Sequence, residues 1–358
     1  MNKETSYPAQ FYSKVDNEKI QCNLCPRHCQ LKDNTRGFCF VRKREGDQMV
    51  LTTYGRSSGF CIDPIEKKPL NHFHPGTSVL SFGTAGCNLG CQFCQNWDIS
   101  KSKEMDKLMH KASPKQIAKT AKHYGCTSVA FTYNDPVIFF EYAKDVGDEC
   151  HKLGIKTVAV SAGYITEEAR GPFFSFIDAV NIDLKAFTQS FYKKICMSNL
   201  NPVLDTLKYL IHETSVWTEI TTLLIPDLND SEDELNELCK WIRTELGQDV
   251  PLHFSAFHPD FRMMNKPATP LKTLLKAHSI AKNHGIKYVY TGNVHHVETD
   301  TTYCPKCNHE LIIRNWYNIK SISLNNNGKC SKCSFKINGH FETFGNWGNK
   351  RLPVSVCK

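Results

Sequence analysis

The sequence predicts an α/β fold: a partial (β/α) barrel over residues 76–298, preceded by a cysteine-rich segment over 1–75 and followed by a small module over 299–358. Short β-branched or aromatic runs alternate with helical stretches through the middle of the chain, the pattern of parallel strands covered by helices. Eleven of the 17 cysteines fall into three tight clusters, one per region, as metal ligands do. Reducing conditions follow. At 358 residues with 41% hydrophobic content, the chain can bury a sizeable core.

The predicted strands cover 78–82, 128–133, 157–161, 179–184, 218–225, 252–257 and 288–291, and the helices between them 114–124, 137–153, 202–212, 232–246 and 270–284. Ser113 before Pro114, and Ser231 with Glu234 three residues on, read as helix starts, the second as a capping box. No apolar run approaches the ~20 residues of a membrane span, and the start MNKETSYPAQ lacks the order of a signal peptide. A cytoplasmic protein is expected. The net charge of +8 has no long basic runs; it permits an acidic partner, such as an electron-donor protein or nucleic acid, without identifying one.

In the first segment Cys22, Cys25, Cys29 and Cys39 form a CxxCxxxCx9C array. Four soft ligands this close can enclose a zinc ion or an iron–sulfur cluster, or form a packed reduced-thiol subdomain. His28 is a substitute ligand or a surface residue. Cys61 reads as buried, and His72 and His74 as parts of a proline-rich connector.

The chemistry centres on residues 84–97, TAGCNLGCQFCQNW, where Cys87, Cys91 and Cys94 stand as CxxxCxxC with Phe93 before the last. Three thiolates on one loop can hold three irons of a four-iron cluster, leaving one iron open. An open iron suits S-adenosylmethionine: its amino and carboxylate groups can chelate the metal while an electron entering the sulfonium breaks a carbon–sulfur bond and releases a 5'-deoxyadenosyl radical. A barrel puts such chemistry at the C-terminal ends of its strands. There the sequence offers Asn134 and Asp135 in TYNDP, Ser161 in SAGY, and Asp183 with Lys185 on one face of NIDLK. Asn134 and Asp135 also fit a plain Asx turn and helix cap, and the Asp–Lys pair a buried ion pair supporting the barrel. Glu219 and His253 are less favourably placed, and His258 lies where its strand opens into a loop. No substrate-side catalytic residue can be named.

The CxxxCxxC spacing with its aromatic resembles the radical S-adenosylmethionine enzymes. The strings LCPRHC, GCNLGCQFCQNWDIS, FTYNDP, NIDLKAF, PLHFSAFHP and YVYTGN, in this order over about residues 20–340, are similar to the AmmeMemoRadiSam system radical SAM enzymes, relatives of pyruvate formate-lyase activating enzymes. That resemblance implies a radical SAM type of partial barrel, a 4Fe-4S cluster, S-adenosylmethionine, and association with Memo and AMMECR proteins. It places Phe93 near the adenine, and Asn134, Asp135, Ser161, Asp183, Lys185 and His258 around the cofactor. Asp135 stands where Glu is expected, one methylene shorter. A ferredoxin or flavodoxin would supply electrons. The alternatives are activation of a glycyl-radical enzyme and a non-catalytic, multi-metal scaffold for RNA or protein.

In the last module Cys304, Cys307, Cys330 and Cys333 form two CxxC knuckles around a hairpin-like interval, resembling a zinc ribbon. An iron site would use the same thiolates. Asn308 and Ser334 occupy positions where ribbons commonly use Gly. Arg314, Trp316, Tyr317 and Lys320 would either contact nucleic acid or pack the ribbon, and the tail thiol Cys357 reads as mobile and incidental.

Overall fold

The computed structural model describes residues 6–16, 18–101, 110–325 and 327–356; Cys357 lies outside them. A nine-stranded sheet forms the centre, its strands labelled here in chain order as β1 (Phe60–Pro64), β2 (Ser78–Phe82), β3 (Ser128–Phe131), β4 (Lys156–Ser161), β5 (Ala179–Asp183), β6 (Trp217–Leu224), β7 (Leu252–Ala256), β8 (Val289–Gly292) and β9 (Leu352–Val354). Their spatial order is β8-β7-β6-β5-β4-β3-β2-β1-β9. Strands β2 to β8 are parallel, whereas β1 runs antiparallel to β2 and β9 antiparallel to β1. The sheet does not close, so this is a partial barrel. All residues of β2, β3 and β7 are buried, as expected for parallel strands covered on both faces.

Each crossover carries a helix: α1 (Pro114–His123), α2 (Phe140–Lys152), α3 (Glu167–Phe174), α4 (Asn201–Glu213), α5 (Glu232–Trp241) and α6 (Leu271–Asn283). Ser113 closes a capping box with Gln116. Ser231 caps α5 as expected, but the Glu234 carboxylate accepts from the Phe187 N–H at 2.6 Å, so no reciprocal box forms there. The helix expected over 137–153 begins with a 3-10 turn, Pro136–Phe139, because Asp135 caps it tightly through the Val137 N–H. Helix α3 was not anticipated; Gly171 and Pro172 inside it mask its pattern.

The sheet also draws strands from both flanking segments, so the expected boundaries at 75 and 298 do not bound it. Phe60–Pro64 and Leu352–Val354 cover what would otherwise be an open edge at β2. The N-terminal segment is fastened by a buried ion pair, Arg42 to Glu141 on α2, at 3.1 Å. The C-terminal module docks through the fully buried Arg314, which donates to the Asn71 carbonyl at 2.8 Å and to Thr302 Oγ1 at 2.8 Å. Arg314 therefore belongs to the packing, while Trp316 and Lys320 are exposed.

Glu219 on β6 is buried and accepts from the Asn71 and His72 N–H groups at 3.0 and 2.8 Å and from Trp217 Nε1 at 2.9 Å; His253 Nε2 lies 2.7 Å away. Burial raises its pKa, and the partners His253, His72 and Trp217 more than reverse that, so it stays ionised. It fastens the connector to β6 and β7 rather than facing a ligand. His72 and His74 are buried connector residues. Among the described residues no helix is long and apolar enough to cross a membrane. Glu219→Ala would leave these donors unmet and is expected to cost about 3–5 kcal/mol, read as a lower urea midpoint of the metal-free chain.

Candidate active site

The loop after β2 places Cys87, Cys91 and Cys94 on the wall of a cavity of about 280 Å³, at the C-terminal ends of the parallel strands. That volume is near the lower end of small-molecule sites, ~300–1,000 Å³. Backbone contacts fix the loop: Gly90 N–H donates to the Cys196 carbonyl at 2.8 Å, Gln92 N–H to that of Ile195 at 3.0 Å, and Gly86 N–H to that of Ile99 at 3.1 Å.

Asn134 supports the same loop. Its Oδ1 accepts from the Thr84 N–H at 3.0 Å, and its Nδ2 donates to the Gly86 carbonyl at 2.9 Å and to Thr84 Oγ1 at 3.2 Å. It borders the cavity, yet its amide is committed to the protein. Asp135 is buried, accepting from the Val137 N–H at 3.1 Å, the Ala162 N–H at 2.9 Å and Ser161 Oγ at 3.1 Å. Burial nevertheless raises its pKa. Ser161 is buried behind Asp135, and Ala162 borders the cavity beside it.

Across the cavity Lys185 Nζ pairs with Asp183 Oδ2 at 2.9 Å and lies 5.8 Å from the centre of the Phe93 ring. Burial would lower the Lys185 pKa, but Asp183 and the cysteines Cys91 and Cys196 drive it well above the ordinary value. Cys196 donates to Cys91, and this hydrogen bond, aided by Lys185 and Lys101, brings the Cys91 thiol down to about 7 against the effect of burial. Burial, with Asp135, pushes Cys87 up to about 12.

The structure thus gathers Phe93, Asn134, Asp135, Asp183 and Lys185 around the three cysteines. His258, expected around the cofactor, is instead exposed and does not line the cavity: β7 ends at Ala256, and Phe257 after it is buried while His258 is not. The sequence reading missed Lys101, Tyr133, Thr221, Ser255 and Asn293, all on the cavity wall. Thr221 and Ser255 had a signal, since period two along β6 and β7 points them to the strand ends' inner face. Tyr133 had none: its left-handed backbone, at φ 73°, is held by a hydrogen bond from its hydroxyl to Asp63 Oδ2 at 3.0 Å, a contact between distant segments.

Single-ion and cluster sites separate by sulfur spacing. Tetrahedral zinc, with Zn–S bonds of ~2.3 Å, holds its sulfurs ~3.8 Å apart. Cys304, Cys307, Cys330 and Cys333 have all four Sγ atoms within 4.8 Å of one another, with contacts of 3.5 and 3.7 Å, and fit one metal ion. Asn308 and Ser334 both adopt left-handed φ, 54° and 58°, and donate their N–H groups to the Cys304 and Cys330 carbonyls at 2.9 Å. Among the described residues no other three ligand atoms of this kind are so close. Cys87, Cys91 and Cys94 form no such compact single-ion group, and three thiolates on one loop suit separate irons of a cluster.

The family model described as the Radical SAM superfamily matches residues 82–241. The chain belongs to the radical SAM superfamily. It is a radical SAM enzyme, and this domain implies a 4Fe-4S cluster and S-adenosylmethionine; the cysteine spacing fits the former. The chain is 41% identical over 331 residues to an uncharacterized protein of Methanocaldococcus jannaschii, MJ0808, covering 92% of this chain and 98% of that one. A putative glycyl-radical enzyme activating enzyme of the same organism, MJ1632, is 24% identical over 205 residues, covering 55% and 74%. A solved domain of a pyruvate-formate lyase-activating enzyme from Bacteroides vulgatus has 16% identity and a TM-score of 0.41, covering 46% of this chain and 99% of that one.

Two outcomes are expected. Cys91→Ala should remove the iron of the central loop together with any S-adenosylmethionine cleavage, read by iron analysis beside product chromatography. Ser334→Gly, relieving a left-handed serine, should stabilise the metal-loaded module by about 1 kcal/mol, seen as a raised Tm.

Proposed function

We propose that this chain binds a four-iron cluster through Cys87, Cys91 and Cys94, takes S-adenosylmethionine into the adjoining cavity, and removes a hydrogen atom from a substrate as part of an AmmeMemoRadiSam system with Memo and AMMECR proteins. The observation that carries the reading is the meeting of the open cysteine triad with the Asp183–Lys185 pair around one cavity. When bound, the cluster supplies one electron that splits S-adenosylmethionine into methionine and a 5'-deoxyadenosyl radical.

The residues of the chain bind and orient. Lys185, cationic and part-buried, suits the methionyl carboxylate, and Asp183 the nucleoside hydroxyls. Asp135, whose ionised form burial disfavours, gains from a methionyl ammonium; its protein hydrogen bonds make it a rigid acceptor. Asn134 holds the cysteine loop in place, Ser161 orients Asp135, and Phe93 offers an apolar face to the adenine. The Cys304, Cys307, Cys330 and Cys333 site suits a structural zinc ion. A low-potential ferredoxin or flavodoxin would reduce the enzyme, and a cytoplasmic, reducing setting suits its clustered thiols.

A second reading, in which the hydrogen comes from a glycyl residue of a partner protein, is favoured by the similarity to the putative activating enzyme MJ1632. The deciding experiment is 5'-deoxyadenosine formation by the anaerobically reconstituted full chain, alone and with Memo and AMMECR proteins, beside the Cys87/Cys91/Cys94 triple Ala variant. Cleavage by the parent alone is expected; none from fully loaded parent under either condition sinks the reading. Lys185→Met should weaken S-adenosylmethionine binding about 10- to 100-fold by equilibrium dialysis, the effect of losing a charge-assisted contact.

A further inference from the structure

Four cysteines outside the active site converge as well. Cys22, Cys25, Cys29 and Cys39 line one small cavity beside the central loop, together with Arg42 and Asn88. No three of their sulfurs lie within 4.8 Å of one another, unlike those of the C-terminal module in the same structure. They do not form a compact single-ion group of that kind, and four thiolates around one cavity suit a cluster in which each binds a different iron.

Two further donors face these cysteines or the cavity they line. Arg42 is 1% exposed, and its Nε has no hydrogen-bond partner although its Nη1 is paired with Glu141 at 3.1 Å. A buried donor left unmet is costly, so an acceptor in the cavity that it lines would stabilise it. The Phe38 N–H, in turn, already donates to Cys29 Sγ at 3.5 Å.

The site adjoins the first. A Cβ on Gly86 would sit 2.0 Å from the Cys39 carbonyl, so the backbone before Cys87 rests directly on that of Cys39. Asn88, the residue after Cys87, borders the N-terminal cavity, and Arg27 Nε donates to its carbonyl. Cys25 and Cys29 are partly exposed, whereas Cys22 and Cys39 are buried. The set therefore reaches from the surface to the active-site loop.

We infer that Cys22, Cys25, Cys29 and Cys39 hold a second four-iron cluster, the electron entry point for the cluster on Cys87, Cys91 and Cys94. Four thiolates leave no iron open, so this centre exchanges electrons and binds no substrate. A reduced ferredoxin or flavodoxin is oxidised by one electron, the N-terminal cluster accepts that electron and then passes it to the second cluster, and no bond or proton moves. The entry role rests on the radical reading above; occupancy of the site does not.

The test uses the full chain reconstituted anaerobically with iron and sulfide. The parent should hold about eight irons, and the Cys87/Cys91/Cys94 triple Ala variant about four, in a reduced electron paramagnetic resonance signal indifferent to S-adenosylmethionine. A Cys22/Cys25/Cys29/Cys39 quadruple Ser variant should also hold about four; if it fails to fold, the parent and triple variant decide alone. A triple variant without iron, with two irons, or with zinc at these thiols overturns the cluster. The reduced parent should show spin coupling absent from the triple variant, and a spectrum equal to two isolated centres overturns the entry role. Extra iron without S-adenosylmethionine cleavage would refute the proposed function and leave the cluster standing; cleavage with no extra iron would do the reverse.

Discussion

The site depends on one turn, Thr132 to Pro136, in which neighbouring side chains restrain different segments. Asn134 commits its amide to the backbone of Thr84 and Gly86 and so fixes the approach to the cysteine loop. Asp135 caps the following turn while accepting from Ala162 at the end of the next strand. Tyr133 reaches back to Asp63, which also holds Lys67 and Lys68 at 2.8 and 2.7 Å. Loops after β2, β3 and β4, free to move separately in an isolated strand–helix unit, thereby share one geometry. A radical site needs such rigidity, because reacting atoms must meet in one orientation.

Around that turn the flanking segments are structural parts of the enzyme. The N-terminal region contributes a sheet strand and a buried arginine to α2; the C-terminal module contributes a buried arginine to the connector. Both contacts place charge inside the protein with Nη donors paired and Nε left without a hydrogen-bond partner, an arrangement that specifies position more than it adds stability. β1 from the N-terminal segment and β9 from the C-terminal one extend one edge of the sheet, while the four-cysteine module packs near β8 at the other through Tyr288 and Tyr290.

The seven parallel strands and most crossover helices were legible because apolar periodicity reports local burial, and the C-terminal four-cysteine site because CxxC spacing reports local ligand geometry. The less regular pieces were not. Helix α3 contains Gly and Pro, and β1 and β9 gain strand character only by pairing with a sheet assembled from distant residues. His258 was misplaced for a related reason: its position after β7 predicts proximity to the cavity, but the loop's direction is set by packing.

The sequence by itself determined the three cysteine sets, the strand–helix alternation, and the residues available at each strand end, since these follow from spacing along the chain. Tertiary structure decided which sulfurs are close enough for one ion and which stand apart, that Asn134 and Ser161 serve as supports, and that Lys101, Tyr133, Ser255 and Asn293 share the cavity with Asp183 and Lys185. These are distances between residues remote in sequence, and they acquire values only when the packed sheet brings their loops together.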